Sequence, residues 1–484
     1  MTPKVYLVGA GPGDPQLITV KGQRLLAHAD VILYDRLAHP QLLDFAPATA
    51  ERIYVGKKGA HHTMVQAEIA ALMVAKVKEG KTVVRLKGGD PLLFARASEE
   101  LEALAAAGIE FEIVPGVSSA LSVAAYTGVP LTHAGVSDSV AFITGHAPDA
   151  INWAGFTAVS TLAIFMGASE FAEISRRLQQ GGWPSDTPAL AVRWGTRPSQ
   201  QSIDGTLENL AAQIKTQKLQ PPILILIGKV VALRAPFNWF EKLPLYGQRI
   251  VTTRDRTQSP ELTDRLTALG ADVIECPVIE IRPLEFSTKN LDQYDWTIFT
   301  SVNAVRHFFG RLEDIRQLKG RIAAVGTSTK AALEALRLKV DRVPCEFVAE
   351  GILEAFANDD LAGTRILLPR AAVARDTVPV ELEKRGAIVD VLDVYRNVVP
   401  EDAAAHAAEA FKTKPAWVTF TSSSTVKNLL AVVDRANLEG VRLASIGPVT
   451  SDTLRKHGLT VACEADPHTM DGLVAAMVRS NLPA

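Results

Sequence analysis

The chain has 484 residues, 47% of them hydrophobic and 21% charged, with a formal net charge of −2. At ~150 residues per domain this length predicts about three folding units with ample core. So small a charge supplies no global basic field, which argues against a nucleic-acid partner.

Cys276, Cys345 and Cys463 are far apart and form no C-x-x-C, which fits a reducing compartment. Residues 1–4 run straight into an apolar segment and no run of 18 apolar residues occurs, so the expectation is a cytoplasmic protein without a membrane span.

Residues 5–8 predict a strand that leads into the glycine turn G-A-G-P-G-D-P at 9–15. The spacing departs from a dinucleotide fingerprint. Where a third glycine would stand the chain has Asp14, whose carboxylate would repel a pyrophosphate on the following helix. The turn therefore suits a ligand without phosphate. A helix near 19–28, strands at 31–34 and 52–55, and a helix at 65–78 follow. Asp35 ends the second strand, where an acid is usually a cap or a solvated turn residue. His61 and His62 are adjacent and have no companion ligand pattern, so no metal is expected. A strand at 83–86, with Arg85 and Lys87 on one face, runs into Gly88-Gly89-Asp90-Pro91, a turn that lets a ligand approach the main chain. A helix near 98–107 and a strand at 111–114 complete an α/β pattern with a mainly parallel sheet. Its ligand crevice should collect Gly11 to Asp14, Asp35 and Gly88 to Asp90 at the strand ends.

A second α/β lobe is predicted from strands near 140–144, 161–166, 189–194 and 223–227 and helices near 169–179 and 206–215. Two prolines and several aromatic residues at 232–246 break the pattern and place a linker at 236–246, apolar enough to pack on a surface. The chain is thus divided into 1–235, with lobes of about 1–116 and 117–235, and 247–484. The second half repeats itself. F-T-S at 299–301 with Val305 matches F-T-S at 420–422 with Val426, and Gly326 and Thr329 match Gly447 and Thr450 at the same offset. A period this long predicts two similar α/β lobes. Backbone N–H groups at Gly326 and Gly447 would make a cleft suited to carboxylates, with Arg254 and Arg370 adding charge. Each Ser/Thr pair is equally a natural helix N-cap, so a binding module and an enzyme are both open on these residues.

The set G-A-G-P-G-D at 9–14, Y-D-R-L at 34–37, V-G-K at 55–57, V-R-L-K-G-G-D-P at 84–91, V-P-G-V-S-S-A at 114–120 and P-L-T-H at 130–133 resembles the tetrapyrrole methylases. Among them it is most similar to the uroporphyrinogen-III C-methyltransferases, over roughly 3–235. The resemblance implies a two-lobed fold holding S-adenosylmethionine against Pro12, Gly88, Gly89, Asp90, Leu93, Ser118, Ser119, Met166 and Gly195. It makes Asp35 the proton acceptor and Lys57 a proton donor or carboxylate anchor, and it implies a homodimer. Uroporphyrinogen carries eight carboxylates, so cationic forks are expected to meet it, with Arg36 and Arg85 among those available. Two departures stand out. Ala95, Ala97 and Ser98 replace glycines usual in the family, which would narrow the crevice. Ala134 stands where an Arg commonly follows L-T-H, which removes one carboxylate partner.

Residues 247–481 resemble uroporphyrinogen-III synthase through F-T-S-V-N-A-V, A-V-G-T-S-T, L-L-P-R-A, V-Y-R, F-T-S-S-S-T-V and I-G-P-V-T. The chain would then cross twice between lobes of about 247–282 plus 399–481, and 286–393. Tyr395 and Thr450 would assist the reaction, and Ser301 and Ser422 would contact substrate. Together the resemblances imply a bifunctional tetrapyrrole enzyme. It would cyclise hydroxymethylbilane to uroporphyrinogen III and methylate that product at carbons 2 and 7 to precorrin-2, for siroheme or cobalamin. The alternative is a methylase of the same fold with another substrate, fused to a non-catalytic two-lobed binding module.

Overall fold

The computed structural model describes residues 4–56, 64–344, 349–374 and 376–482. Lys57, His61, His62 and Cys345 lie outside the described residues. The strand Val5–Gly9 is buried along its whole length and pairs in parallel with Val83–Lys87 on one side and Phe111–Val114 on the other. Val31–Tyr34 joins Val83–Lys87 to Glu51–Tyr54, which closes a five-stranded, all-parallel sheet. Val5–Gly9 and Val31–Tyr34 are apolar on both faces because both faces are covered. Tyr6, Val8, Ile32 and Leu86 pack with Leu25 and Leu26 of the helix Val20–Leu26, whereas Leu7, Val31 and Leu33 pack with Ile69 and Met73 of Gln66–Lys78. Parallel register carries Gly9, Tyr34 and Lys87 to one edge of the sheet, and each is followed directly by a turn.

A second sheet runs Val140–Thr144, Thr161–Phe165, Ile223–Ile227, Pro188–Arg193, Gln201–Thr206. Its first pair is parallel and the other three are antiparallel. Gln201–Thr206 is absent from the sequence-based expectation, because Q-S-I-D-G-T offers one buried apolar side chain, Ile203, among exposed or half-buried neighbours. Its presence confines the helix expected at 206–215 to Leu210–Thr216.

The chain divides into one unit of Met1–Gln248, Leu266–Asp272 and Asn481–Ala484, and another of Arg249–Arg265 and Val273–Ser480. The first unit continues past the 236–246 stretch because that stretch is packed. Tyr126, Trp239, Phe240 and Tyr246 form a chain of ring contacts, Leu245 is fully buried, and the Tyr246 hydroxyl donates to the Gln200 carbonyl at 2.6 Å. Leu245 N–H donates to Leu269 O and Asn481 Nδ2 to Pro244 O, which ties in the two outlying segments.

The second unit holds two five-stranded sheets. One orders Asp272–Glu275, Arg249–Thr252, Trp417–Phe420, Arg442–Ser445 and Val461–Glu464, and the other Glu280–Pro283, Ile388–Val398, Arg365–Ala371, Trp296–Phe299 and Arg321–Ala324. Glu280–Pro283, which the sequence alone places in the first of these lobes, pairs antiparallel with Ile388–Val398 in the other. The internal repeat is visible in the backbone. Ser301 (φ −157°, ψ 157°) and Ser422 (φ −165°, ψ 161°) cap the helices Val302–Phe309 and Ser423–Val432 in the same extended conformation. Gly326 and Gly447 precede Thr327–Ala335 and Pro448–Lys456. Among the described residues no helix is long and apolar enough to cross a membrane.

Three turns meet at the edge of the first sheet without room for a side chain. A Cβ on Gly116 would stand 2.2 Å from the Gly89 carbonyl oxygen, and one on Gly9 would stand 2.5 Å from Gly116 Cα. Gly116→Ala is therefore expected to destabilise the first unit by about 1–3 kcal/mol through overpacking. Urea unfolding checks this, and an unchanged midpoint would mean that the turns part freely.

Candidate functional site

The two glycine turns of the first unit are hydrogen-bonded to each other. Gly89 N–H donates to Gly11 O at 2.7 Å, Gly11 N–H to Gly89 O at 3.3 Å, and Ala10 N–H to Lys87 O at 2.7 Å. Asp90 holds this arrangement, since Oδ1 accepts from Leu92 N–H at 2.8 Å and Oδ2 from Gly116 N–H at 3.0 Å. Gly89 is left-handed (φ 67°), and the nearest atoms to a Cβ there, from Ser118 and Ser119, are 3.8 Å or more away. Ser118 caps the helix Ser119–Thr127. Gly195 packs on Val123 of that helix so closely that a Cβ would lie 2.3 Å from Val123 Cγ2. Asp14 is tied down by Tyr126, whose hydroxyl donates to Oδ2 at 2.6 Å, and its own N–H donates to Thr196 Oγ1 at 2.9 Å. Burial, with the Asp14 hydrogen bond adding to it, pushes the Tyr126 phenol well above its usual value.

Beneath the turns lies a buried cluster of charges. Arg85 Nε and Lys87 Nζ both donate to Glu100 Oε1, at 3.2 and 2.9 Å, and Arg85 Nη1 donates to Leu86 O at 3.0 Å. Arg85 Nη2 reaches Asp35 Oδ2 at 3.5 Å, while Asp35 Oδ1 accepts from Leu37 N–H at 2.9 Å. Arg85 and Lys87 are each 3% exposed and Glu100 is 0% exposed. Burial, with the charge of Arg85, lowers the Lys87 pKa against the opposing pull of Glu100 and Asp35. Arg85, expected as a substrate clamp, is therefore committed to internal partners and stands behind Asp35. Glu100 was missed in the sequence, yet the signal exists: Ala97, Glu100 and Leu104 form the buried stripe of Ala97–Ala106, so this acid occupies a core position.

Backbone strain concentrates around the same crevice. Phe94, Arg96, Met166, Trp194 and Thr196 all have φ between 49° and 70°, a region that bulky side chains rarely adopt. Met166, a core residue by its sequence context alone, is 52% exposed at the end of Thr161–Phe165. The rings of Phe94 and Phe165 lie 5.0 Å apart, which brings the two lobes together beside Leu93 and Met166. The residues expected to surround the methyl donor, Pro12, Gly88, Gly89, Asp90, Leu93, Ser118, Ser119, Met166 and Gly195, thus lie on turns and strand ends that converge. Arg36 is exposed and sits over the Trp194 ring at 5.6 Å.

In the second unit, Ser301 Oγ accepts from Ala304 N–H at 3.1 Å and lies 3.2 Å from the Tyr395 hydroxyl. Tyr395 is 7% exposed, and the His307 ring lies 5.6 Å from its ring. Burial first, and then Arg306, lowers the His307 pKa. Thr450 lies in the first turn of Pro448–Lys456, and Ser423, next to Ser422, donates to Val449 O at 3.2 Å. The structure thus places Ser301 with Tyr395 in one lobe, and in the other it bonds Ser423, the neighbour of Ser422, to Val449, the neighbour of Thr450. Arg254 donates to Gln258 Oε1 at 3.1 Å, its buried Nη1 has no partner among the described residues, and burial lowers its pKa. Arg370 is already engaged by Asp376 at 2.8 Å and Asp393 at 3.8 Å.

The comparisons with known proteins divide the chain in the same order. The family model for Tetrapyrrole (Corrin/Porphyrin) Methylases matches residues 4–211, and that for Uroporphyrinogen-III synthase HemD matches 260–475. The chain is 35% identical to the porphyrin biosynthesis protein HemD of Ruminiclostridium josui, over 97% of this chain and 96% of that one. It is 40% identical to the uroporphyrinogen-III C-methyltransferase of Bacillus subtilis over 68% of this chain and 71% of that one. The siroheme synthase of Azotobacter vinelandii is 46% identical over 49% of this chain and 52% of its own. The chain belongs to the family in which a tetrapyrrole methylase is followed by a uroporphyrinogen-III synthase. Among solved structures, the uroporphyrin-III C-methyltransferase of Thermus thermophilus complexed with S-adenyl homocysteine is 38% identical, covering 48% of this chain and 99% of that one with a TM-score of 0.42. A mutant uroporphyrinogen III synthase from the same organism is 18% identical and covers 48% of this chain and 98% of its own, with a TM-score of 0.38.

His39 gives the first unit a pH dependence. Burial, then the charge of Arg197, lowers its pKa to about 4, and its Nδ1 accepts from Gln41 N–H at 3.3 Å. In the unfolded chain the imidazole takes a proton below about pH 6.5. The unfolded state therefore binds more protons between these values. The contribution is fully present above about pH 6.5 and is lost as pH falls toward 4, at up to about 1 kcal/mol per pH unit. His39→Asn keeps a capping side chain and should flatten that slope in urea titrations. An equally steep fall in the variant would contradict the assignment.

Proposed function

We propose that the chain is a bifunctional enzyme of tetrapyrrole biosynthesis. The second unit closes hydroxymethylbilane to uroporphyrinogen III with inversion of ring D. The first transfers two methyl groups from S-adenosylmethionine to carbons 2 and 7, giving precorrin-2. The observation that carries this reading is the match over 97% of the chain to a relative named for porphyrin biosynthesis. The crevice fits the donor: paired glycine turns offer backbone groups to its polar parts, and exposed Met166 with half-buried Leu93 offers apolar surface. When bound, the donor supplies an electrophilic methyl on sulfur. A pyrrole carbon takes that methyl as the carbon–sulfur bond breaks, and the ring system then sheds a proton. Asp35, at a strand end with one oxygen fixed by Leu37 N–H and the other facing Arg85, is the acceptor for it. Lys57 assists as donor or carboxylate anchor, and Arg36 meets a substrate carboxylate.

In the second unit the substrate loses its hydroxyl, and the reactive chain must be held so that ring D is attacked at its substituted carbon. That is chiefly a task of shape, served by capped helix starts at Ser301 and Ser422 and by the Arg254 Nη1, which has no partner among the described residues. Tyr395 is the proton donor to the leaving hydroxyl, with Thr450 helping from the other lobe. The same reading carries a homodimer through the methylase half, a cytoplasmic location, and a product destined for siroheme or cobalamin.

Incubation of the full chain with hydroxymethylbilane and S-adenosylmethionine tests both reactions, with isomers separated by chromatography and methyl groups counted by mass. Doubly methylated type III product is expected. Asp35→Asn should slow methylation roughly 100-fold or more while sparing cyclisation, and Tyr395→Phe should slow cyclisation while sparing methylation. Type I product alone would refute the synthase assignment, and unmethylated uroporphyrinogen III would refute the methylase assignment.

A further inference from the structure

Two guanidinium groups share one indole beside the crevice of the first unit. Arg197 Cζ lies 4.2 Å from the Trp194 ring centroid and Arg36 Cζ lies 5.6 Å from it. Each cation gains from the face of the ring, but the two repel each other. Among the described residues neither forms an ion pair, and Asp272 acts on Arg197 through its field alone. Burial first, and in part the charge of Arg36, lowers the Arg197 pKa to about 10. Among the described residues its buried Nε has no hydrogen-bond partner, and Nη2 donates to Leu37 O at 3.1 Å. Arg197, half-buried with one N–H unpartnered among the described residues, carries a desolvation cost that an anion between or across the forks would return, and exposed Arg36 adds a second donor.

The surrounding loop is built to hold this arrangement. Trp194 (φ 49°) and Thr196 (φ 70°) are both left-handed without being glycine, at a cost on the order of 1–3 kcal/mol each. Thr196 is pinned on two sides, its N–H to Gln200 Oε1 and its Oγ1 to Asp14 N–H, both at 2.9 Å. The stem of Arg197 lies on Gly13, where a Cβ would stand 2.8 Å from Arg197 Cγ. The strained loop therefore carries indole and guanidinium over two turns at once, the glycine turn at Gly13 and the Asp35–Leu37 turn. This places them next to the candidate base.

We propose that Arg36, Trp194 and Arg197 form a carboxylate seat that takes an acidic side chain of the tetrapyrrole, so that Trp194 and Arg197 help to select substrates by their carboxylates. The inference rests on the methylase reading above. The methionine carboxylate of the donor is the other anion within the same chemistry, and a lobe clamp with no ligand is the purely structural role for Arg197.

Arg197→Met in the full chain separates these, since it keeps the stem on Gly13 and removes the fork. The KM for uroporphyrinogen III is expected to rise roughly 10- to 100-fold, the loss of one charge-assisted contact. The kcat should stay within a few-fold, and calorimetric affinity for S-adenosylhomocysteine should stay within about two-fold. Arg197→Lys should recover part of the loss. Arg36→Met, on an exposed side chain, provides a second variant with the same expected rise should Arg197→Met fold poorly. An unchanged KM in variants that still methylate would overturn the seat. So would a fall in S-adenosylhomocysteine affinity in step with KM, which would assign the forks to the donor or to lobe closure. Absence of methylation by the unmodified chain would instead remove the methylase reading itself.

Discussion

A single carboxylate oxygen, Glu100 Oε1, holds two buried cations at the end of the central strand of the first unit. Without it, Arg85 and Lys87 would bring two positive charges into a sheet covered on both faces, a cost that no apolar packing there could offset. With it, Arg85 is aimed at Asp35 and Lys87 is fixed immediately before Gly88. The cluster thereby connects the core of the sheet to both turns that the proposed chemistry uses. Among the described residues Glu100 Oε2 has no partner of its own, which makes the network sensitive to any loss on the acidic side.

What the cluster fixes from below, close backbone approach fixes from above. The bonds between Gly11 and Gly89, the near contact of Gly116 with the Gly89 carbonyl and the two N–H groups held by Asp90 leave the turns little freedom. Rigid turns then meet loops of the second sheet that are strained at Met166, Trp194 and Thr196. Preorganisation of this kind suits a reaction in which a methyl group and a ring carbon must be brought into line, because alignment costs little once substrate is bound. In the second unit, two lobes of one plan each present a serine-capped helix and a glycine-led helix, which under the proposed function would spread binding over many weak contacts.

The mainly parallel character of the first sheet was legible because Val5–Gly9 and Val31–Tyr34 are apolar throughout and two of the strands run into glycine turns. The repeat was legible because identical F-T-S runs cap helices in both lobes. Gln201–Thr206 was not, since an edge strand with one inward residue has too little alternation to register. The crossover at Glu280–Pro283 was misplaced for a related reason: strand pairing over more than a hundred residues, here with Ile388–Val398, leaves no local mark. For the site, the positions of the turns followed from sequence, but the commitments of charged side chains did not. Arg85 looks like a surface fork until Glu100 is seen to be fully buried opposite it, and Arg370 until Asp376 and Asp393 are seen to engage it. Trp194 and Arg197 stand out only once their backbone and ring geometry are known.

The dependence of the first unit on Glu100 is most directly measured by comparing Glu100→Ala with the parent chain in urea unfolding and in binding of S-adenosylhomocysteine by calorimetry. Removing the acid leaves buried positive charge unpaired, so a loss of about 3–5 kcal/mol is expected, with weakened ligand binding. Stability within about 0.5 kcal/mol of the parent, with unchanged affinity, would contradict the account.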